Sequence, residues 1–372
     1  MLTATTLSDA PGCPLLILGS SVGTSVETLW PAAAGRLYGR YHVVGFDLPG
    51  HGRSAPASEP FTIGDLAREV VALADRIRPD TSFLYAGDSI GGAIGLQLLL
   101  DFPERVSAAA LLCTGARIGE PAMWRERAAL VRAGGVEPVV AGSRERWFAP
   151  GTDPAVTEPL IGALRATDPE SYARACEALA LFDVRDRLPE IAAPVLAVAG
   201  ALDGPTPPDG VALIASTVLA GRLVVLENVA HLAPAESPEV VAFLLDQHFD
   251  ESRRAGITVR REVLGPAHVD RATAATTAFT RDFQDLITRY AWGEIWTRDG
   301  LARRDRSLIT LTALIALGHH DELAMHVRAA RTNGLSVDEI KEVILQTAIY
   351  CGVPAANTAF RIAQQVLAEE PR

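Results

Sequence analysis

Phe83-Leu84-Tyr85-Ala86-Gly87-Asp88-Ser89-Ile90-Gly91-Gly92 is an apolar, strand-forming run that passes through Gly-x-Ser-x-Gly straight into the helix-forming residues 93–100. A serine on so tight a strand-to-helix turn projects its hydroxyl beyond the sheet edge. Positions two before and two after it have room for almost no side chain, and Gly87 and Gly91 meet that need. The spacing therefore predicts a nucleophilic turn with Ser89 at its tip. Alone, the pattern is a weak signal, and its weight depends on whether the serine has partners.

Two partners follow in chain order. Val195-Leu196-Ala197-Val198-Ala199-Gly200 reads as a buried strand leading to Asp203, and Leu223-Val224-Val225-Leu226 as another leading through Glu227-Asn228-Val229-Ala230 to His231. Ser89, Asp203 and His231 each fall just past the carboxyl end of a predicted strand, in the order nucleophile, acid, base. Singly, Asp203 reads as a turn residue before Gly204-Pro205 and His231 as a loop imidazole. Together with the serine turn they predict a catalytic triad.

Residues 10–249 resemble the α/β-hydrolase superfamily, through this turn and through Val43-Val44-Gly45-Phe46-Asp47-Leu48-Pro49-Gly50-His51-Gly52-Arg53-Ser54 ahead of it. Two more specific words, Ser21-Val22-Gly23-Thr24 and Asp203-Gly204-Pro205-Thr206-Pro207-Pro208, resemble 3-oxoadipate enol-lactonases. Most relatives carry His-Gly where this chain has Ser20-Ser21-Val22-Gly23, so the resemblance implies Val22 or Gly23, together with Ile90, as oxyanion-binding amides. Residues 116–186 are helical in pattern and rich in Arg and Trp, and the resemblance implies a cap over the site. Trp124 and Trp147 are its candidate substrate walls. Of Arg125, Arg127, Arg144 and Arg146, solvated helix faces explain most, yet a substrate with a free carboxylate requires one cation there.

At 372 residues the chain exceeds the usual capacity of one hydrophobic core, and its apolar content of 48% supplies more than one. A net charge of −11, with no basic run, argues against nucleic-acid binding. Apolar stretches are strand-sized and the N-terminus lacks a signal-peptide pattern, so neither a membrane span nor secretion is expected. Cys13, Cys113, Cys176 and Cys351 are scattered without zinc or redox spacing. A cytoplasmic protein is expected.

The pattern changes after Phe249. Residues 250–256, Asp-Glu-Ser-Arg-Arg-Ala-Gly, read as a short charged linker, leaving domains 1–249 and 257–372. The second domain reads as all-helical: Ser336 and Glu339 form a capping-box pattern ahead of Ile340, Val343, Ile344 and Thr347, and residues 308–317 and 323–330 form two more helical runs around Gly318-His319-His320-Asp321. Glu322 and His326 are one helical turn apart, where a carboxylate can orient an imidazole and raise its basicity. His319, His320, Glu322 and His326 form a rival metal-ligand set, but no second carboxylate–histidine pair accompanies them. A helix-capping polar loop with a core-satisfying His326 is the plainer reading.

Five words of this region resemble the carboxymuconolactone decarboxylase family: Gly293-Glu294-Ile295-Trp296, Arg304-Asp305-Arg306-Ser307-Leu308, Glu322-Leu323-Ala324-Met325-His326, Asn333-Gly334, and Gln346-Thr347-Ala348-Ile349-Tyr350-Cys351-Gly352-Val353-Pro354-Ala355. Redox relatives of this fold work through a CxxC pair, whereas this chain has Cys351 alone. The resemblance implies an α/β-hydrolase fold with a helical cap followed by a separate all-α decarboxylase-like domain. It implies lactone carboxylates as substrates, no cofactor, and a homo-oligomer assembled through the helical domain. His326, oriented by Glu322, is the expected proton donor, with Arg304 or Arg306 as carboxylate clamps and Trp296 as an apolar wall. The rivals are a serine hydrolase of other specificity with a non-catalytic helical tail, and an α/β-hydrolase-like ligand receptor, against which an intact triad argues.

Overall fold

The computed structural model describes residues 2–277 and 279–369. Its backbone contacts divide the chain into residues 1–249 and 250–372. In the first unit seven strands form one sheet in the order β1-β3-β2-β4-β5-β6-β7. They are β1 (Thr3–Ser8), β2 (Leu15–Gly19), β3 (His42–Asp47), β4 (Phe83–Asp88), β5 (Val106–Leu112), β6 (Val195–Gly200) and β7 (Gly221–Leu226). Only β1 runs antiparallel to its neighbour; the other pairings are parallel. Every residue of β2, β4 and β6 is buried, as continuous apolar strands covered on both faces must be. Edge strand β7 is mostly exposed.

Helices α1 (Ile63–Ile77) and α2 (Ile90–Asp101) cover the sheet, and α2, apolar almost all round, is buried along nearly its whole length. Between β5 and β6 the chain leaves the sheet for four helices: α3 (Pro121–Gly134), α4 (Glu137–Trp147), α5 (Pro154–Ala166) and α6 (Pro169–Leu181). Each begins with Pro in its first turn, where a missing amide costs nothing. Two further long helices, α7 (Pro208–Thr217) and α8 (Pro238–Phe249), and four-residue helices at Val26–Leu29, Pro31–Ala34 and Ala233–Glu236 also belong to the unit.

The second unit is helical throughout its described residues: α9 (Glu251–Leu264), α10 (Pro266–Ala274), α11 (Arg281–Ile287), a π-helical segment at Thr288–Ile295, α12 (Arg303–Leu317), α13 (His320–Thr332), α14 (Val337–Cys351) and α15 (Val353–Ala368). Residues 250–256 are not a linker. Asp250 caps α9, its carboxylate accepting from the Arg253 amide at 3.0 Å, and the following charged residues form the first turns of that helix. The charges that suggested solvation are in use: Arg253 pairs with Asp285. Gly256 allows α9 to lie directly on the π segment, since a Cβ there would meet the Thr288 carbonyl at 2.1 Å. His320 and Asp321, expected between two helices, instead open α13. The core of this unit is a small cluster that includes Leu311, Ile315, Leu323, Val327, Ile340 and Ile344. Among the described residues no helix is long and apolar enough to cross a membrane.

Candidate active sites

Ser89 sits between β4 and α2 with φ 57° and ψ −116°, a conformation that costs a non-glycine residue energy and has to be held by its surroundings. The holding contacts are visible. The Ser89 amide donates to the Leu112 carbonyl at 2.9 Å, and Thr114 Oγ1 donates to the Ser89 carbonyl at 2.7 Å. A Cβ on Gly87 would lie 2.2 Å from the Gly91 carbonyl oxygen, and one on Gly91 would lie 2.6 Å from that of Gly19. Both glycines are thus required by the close approach of backbone to backbone.

His231 Nε2 lies 3.0 Å from Ser89 Oγ, and its Nδ1 lies 3.0 Å from each carboxylate oxygen of Asp203. All three residues are buried. Asp203 accepts two further bonds from Thr206, from the amide at 2.9 Å and from Oγ1 at 2.6 Å. Burial pushes the Asp203 carboxyl up, but the neighbouring His231 and these hydrogen bonds outweigh it, so its net pKa is lowered. An ionised carboxylate therefore faces Nδ1, which places the Nδ1 proton toward Asp203 and leaves Nε2 free to accept the serine proton.

A cavity of about 700 Å³ opens on Ser89 and His231, with Val22, Trp124 and Trp147 among its walls. Ile90 is the first residue of α2, where an amide has no partner within the helix and is available to an oxyanion. Val22 lines the cavity, whereas Gly23 turns the chain with φ +81° against Leu164 and Tyr172. Arg127 and Arg146 also line this cavity; Arg144 does not, being paired with Glu158 at 2.8 Å. Arg125 lines a different cavity with Arg174 and Glu177.

The predicted residues of the helical unit are less closely assembled. His326 and Glu322 share α13, but no hydrogen bond joins them: Glu322 is exposed and His326 Nδ1 is buried without a partner. Burial lowers the His326 pKa to about 4, against an upward pull from Glu322 and with a smaller downward push from His268. The expectation that Glu322 orients the imidazole is thereby corrected, since no hydrogen bond joins them; its charge does pull the imidazole toward greater basicity, but desolvation outweighs that pull. Trp296 stacks at a tilt on Trp292, ring centroids 5.0 Å apart, against the cluster containing Val259, Val263 and Ala329. Arg304 is held by Glu339 at 3.1 Å, and Arg306 donates to the Arg298 carbonyl at 2.6 Å. Arg304 lines a cavity of about 470 Å³ with Leu308, Thr347, Tyr350 and Cys351, to which neither His326 nor Trp296 contributes. Among the described residues no three His, Cys, Asp or Glu side chains converge as metal ligands.

Family models match both units: the alpha/beta hydrolase fold over residues 16–134 and the carboxymuconolactone decarboxylase family over residues 281–365. A 3-oxoadipate enol-lactonase of Acinetobacter baylyi is 36% identical over 230 residues, covering 61% of this chain and 85% of that protein. A 4-carboxymuconolactone decarboxylase of the same organism is 50% identical over 118 residues, covering 32% of this chain and 88% of that protein. The chain belongs to both families. Among solved structures, the enol-lactonase of Burkholderia xenovorans LB400 matches with a TM-score of 0.64 at 28% identity, over 67% of this chain and 96% of that one.

Within the α/β-hydrolase unit the structure adds residues that the sequence reading did not single out. Thr206 grips Asp203, and the signal for it was present, because Asp-x-x-Thr is the spacing at which a carboxylate accepts from the residue three ahead. Glu236 accepts from the amides of Ala230 at 2.9 Å and Ala149 at 2.6 Å, fastening the His231 loop to the segment after α4. No local pattern marks Glu236, whose partners are 6 and 87 residues away.

Proposed function

We propose that this chain is a bifunctional enzyme of protocatechuate breakdown through the β-ketoadipate pathway, decarboxylating 4-carboxymuconolactone and hydrolysing the resulting 3-oxoadipate enol-lactone. One observation carries this reading: a Ser89–His231–Asp203 hydrogen-bond chain under a two-arginine cavity stands in the same polypeptide as a carboxymuconolactone decarboxylase-family unit. The product of the second unit is chemically the substrate of the first.

In 4-carboxymuconolactone the departing carboxylate is on the γ carbon of an unsaturated lactone. As CO2 leaves, its bonding electrons pass through the ring double bond to the carbonyl oxygen, forming a dienolate. Protonation at the α carbon then gives the β,γ-enol-lactone. Because the ring carbonyl accepts the electrons, the step calls for no cofactor; the protein has to hold the substrate, stabilise the dienolate oxygen and deliver a proton. His326 is assigned that proton. Its empty-site pKa near 4 is the value before an anionic substrate arrives, and a carboxylate bound beside the ring raises it. Arg304 or Arg306 would hold a substrate carboxylate and Trp296 would wall the ring; Arg304 must exchange Glu339 for it.

In the hydrolase unit Ser89 attacks the lactone carbonyl while His231 takes its proton, and the amides of Ile90 and Val22 or Gly23 receive the oxyanion. Collapse of the tetrahedral adduct expels an enolate that becomes a ketone, and water then releases 3-oxoadipate from the acyl-enzyme. Homo-oligomerisation through the helical unit is part of the proposal, supported by exposed apolar side chains such as Ile349, Tyr350 and Val353. So is a cytoplasmic location. The test is to supply the purified chain with 4-carboxymuconolactone and follow CO2 and 3-oxoadipate separately. Release of both is expected; release of neither overturns the reading, and hydrolysis of other esters without CO2 assigns a different specificity.

A further inference from the structure

The cap carries nine arginines, and their pairing is uneven. Arg117 pairs with Glu120, Arg132 with Glu170 and Glu177, Arg144 with Glu158, Arg165 with Glu137, Arg174 with Glu170 and Arg185 with Asp183. Among the described residues Arg125, Arg127 and Arg146 have no carboxylate partner, and two of these three, Arg127 and Arg146, line the cavity of Ser89 and His231. An ordinary solvated helix face has no reason to concentrate its unmatched cations beside a nucleophile.

The two differ in how they are held. Arg127 is aimed by neutral groups: Nε donates to the Tyr172 hydroxyl at 2.8 Å, a terminal nitrogen donates to Ser143 Oγ at 2.7 Å, and the guanidinium lies 5.6 Å from the Tyr172 ring centroid. These contacts fix its direction without neutralising it. Arg146 is exposed at the cavity's edge and has no hydrogen-bond partner among the described residues; partial desolvation of the guanidinium and then the charge of Arg127 lower its pKa, outweighing Tyr172 and Glu145. Like charges facing one cavity without an anion between them oppose each other, and a bound carboxylate relieves that repulsion while gaining charge-assisted hydrogen bonds. The acidic groups on the same cavity do not neutralise the pair: Glu120 is engaged by Arg117, and Glu126 is solvent-exposed and forms no ion pair with either arginine.

We propose that Arg146, with Arg127 beside it, is the seat for the side-chain carboxylate of the lactone, and that it sets the hydrolase's preference for anionic over neutral lactones. The inference rests on the lactone-hydrolase reading for its substrate, though the anion seat itself is testable without turnover. Adipate, a flexible dicarboxylate, and adipamide, its neutral counterpart, serve as probes for calorimetric titration of the full chain. Adipate is expected to bind the unaltered protein and adipamide at least about tenfold more weakly. Arg146→Gln should weaken adipate by about 10- to 100-fold, and Arg146→Lys should restore part of the loss as a point charge without the guanidinium fork. Because Arg146 makes no contact that another residue depends on, an unchanged thermal transition is expected in both variants. For turnover, the preference for the enol-lactone over its methyl ester should collapse in Arg146→Gln, chiefly through KM. Equal adipate affinity in Arg146→Gln and the unaltered chain, or no discrimination between adipate and adipamide, overturns the seat even if lactone is hydrolysed. Loss of adipate binding in the variant, in a protein that hydrolyses no lactone, upholds the seat and overturns the substrate reading instead.

Discussion

The two units position chemistry by different means. In the hydrolase unit the reactive groups stand at the ends of strands in one sheet, and each is clamped by backbone or by a buried side chain: Ser89 by Leu112 and Thr114, Asp203 by Thr206, and the His231 loop by Glu236. In the helical unit the residues of the same rank lie on separate helix faces. Arg304 is spent on Glu339, Trp296 sits in its own cluster, and His326 Nδ1 is buried with no partner. A sheet fixes where its strand ends lie before any side chain is chosen, whereas a site on helix faces exists only where particular helices meet. Exposed Ile349 and Tyr350, at 78% and 79%, show how much of this unit's apolar surface is left uncovered within one chain.

The largest expected effect is a break of the first unit alone. Ser89→Ala should lower lactone hydrolysis by roughly 10⁴- to 10⁶-fold. CO2 release should continue, because the serine belongs to a separate unit from His326. Normal 3-oxoadipate release, corrected for spontaneous hydrolysis, would remove Ser89 from the chemistry. Next comes Asp203→Asn, at about 10⁴-fold, through loss of the carboxylate that holds His231 in its reactive tautomer. The Ser89→Ala, Asp203→Asn double variant should be scarcely worse than the more severe single one; additive losses would reduce Asp203 to a turn residue.

The reciprocal break is His326→Ala, expected to cost CO2 release about 10² to 10⁴ while supplied enol-lactone is still hydrolysed. Glu322→Gln should cost less than about tenfold, since an exposed carboxylate acts on the ring only through its field and not through a hydrogen bond. Equal loss in the two variants would mean that Glu322 itself touches substrate. Chelators should alter neither activity; loss of CO2 release on chelation, restored by a divalent ion, would return His319, His320, Glu322 and His326 to consideration as ligands.

How far the sequence could be read follows the same division. The serine turn, the acid and the histidine were legible because each is a local word at the end of an apolar strand, and the order of words carries the order of strand ends. The helices of the second unit were legible from periodicity, down to the Ser336–Glu339 capping box. Residues 250–256 were misread, because a charged, apolar-poor stretch is equally suited to a linker and to a capped first turn that pairs its charges elsewhere. Which cap arginines face the cavity was not legible at all. Arg144 and Arg146 are two residues apart on one helix, yet the first is neutralised by Glu158 on the next helix and the second lines the site. That outcome depends on tertiary partners, which no local pattern encodes.

The smallest effect sharpens the comparison from beneath the serine. Asp88, immediately before Ser89, is fully buried, and neither carboxyl oxygen has a hydrogen-bond partner among the described residues. Burial raises its pKa well above the ordinary 3.8, with Asp203 and then Glu236 adding to the rise. The folded unit therefore holds Asp88 protonated at a pH where the unfolded chain has released that proton. Folding takes up one proton above the unfolded value, so Asp88 makes the hydrolase unit less stable as pH rises, by up to about 1.4 kcal/mol per pH unit until the folded pKa is reached. Asn at this position has nearly the same shape and no proton to bind. Asp88→Asn should thus gain stability over the unaltered protein, with a larger gain at pH 8 than at pH 5, followed as the thermal transition of the hydrolase unit at the two values. Parallel pH profiles for the two proteins would show that Asp88 is ionised in the folded state and that a group absent from its present surroundings compensates it. The His326 imidazole of the helical unit has the opposite sign: desolvation lowers its pKa to about 4, so the folded unit binds that proton less readily than the unfolded chain does.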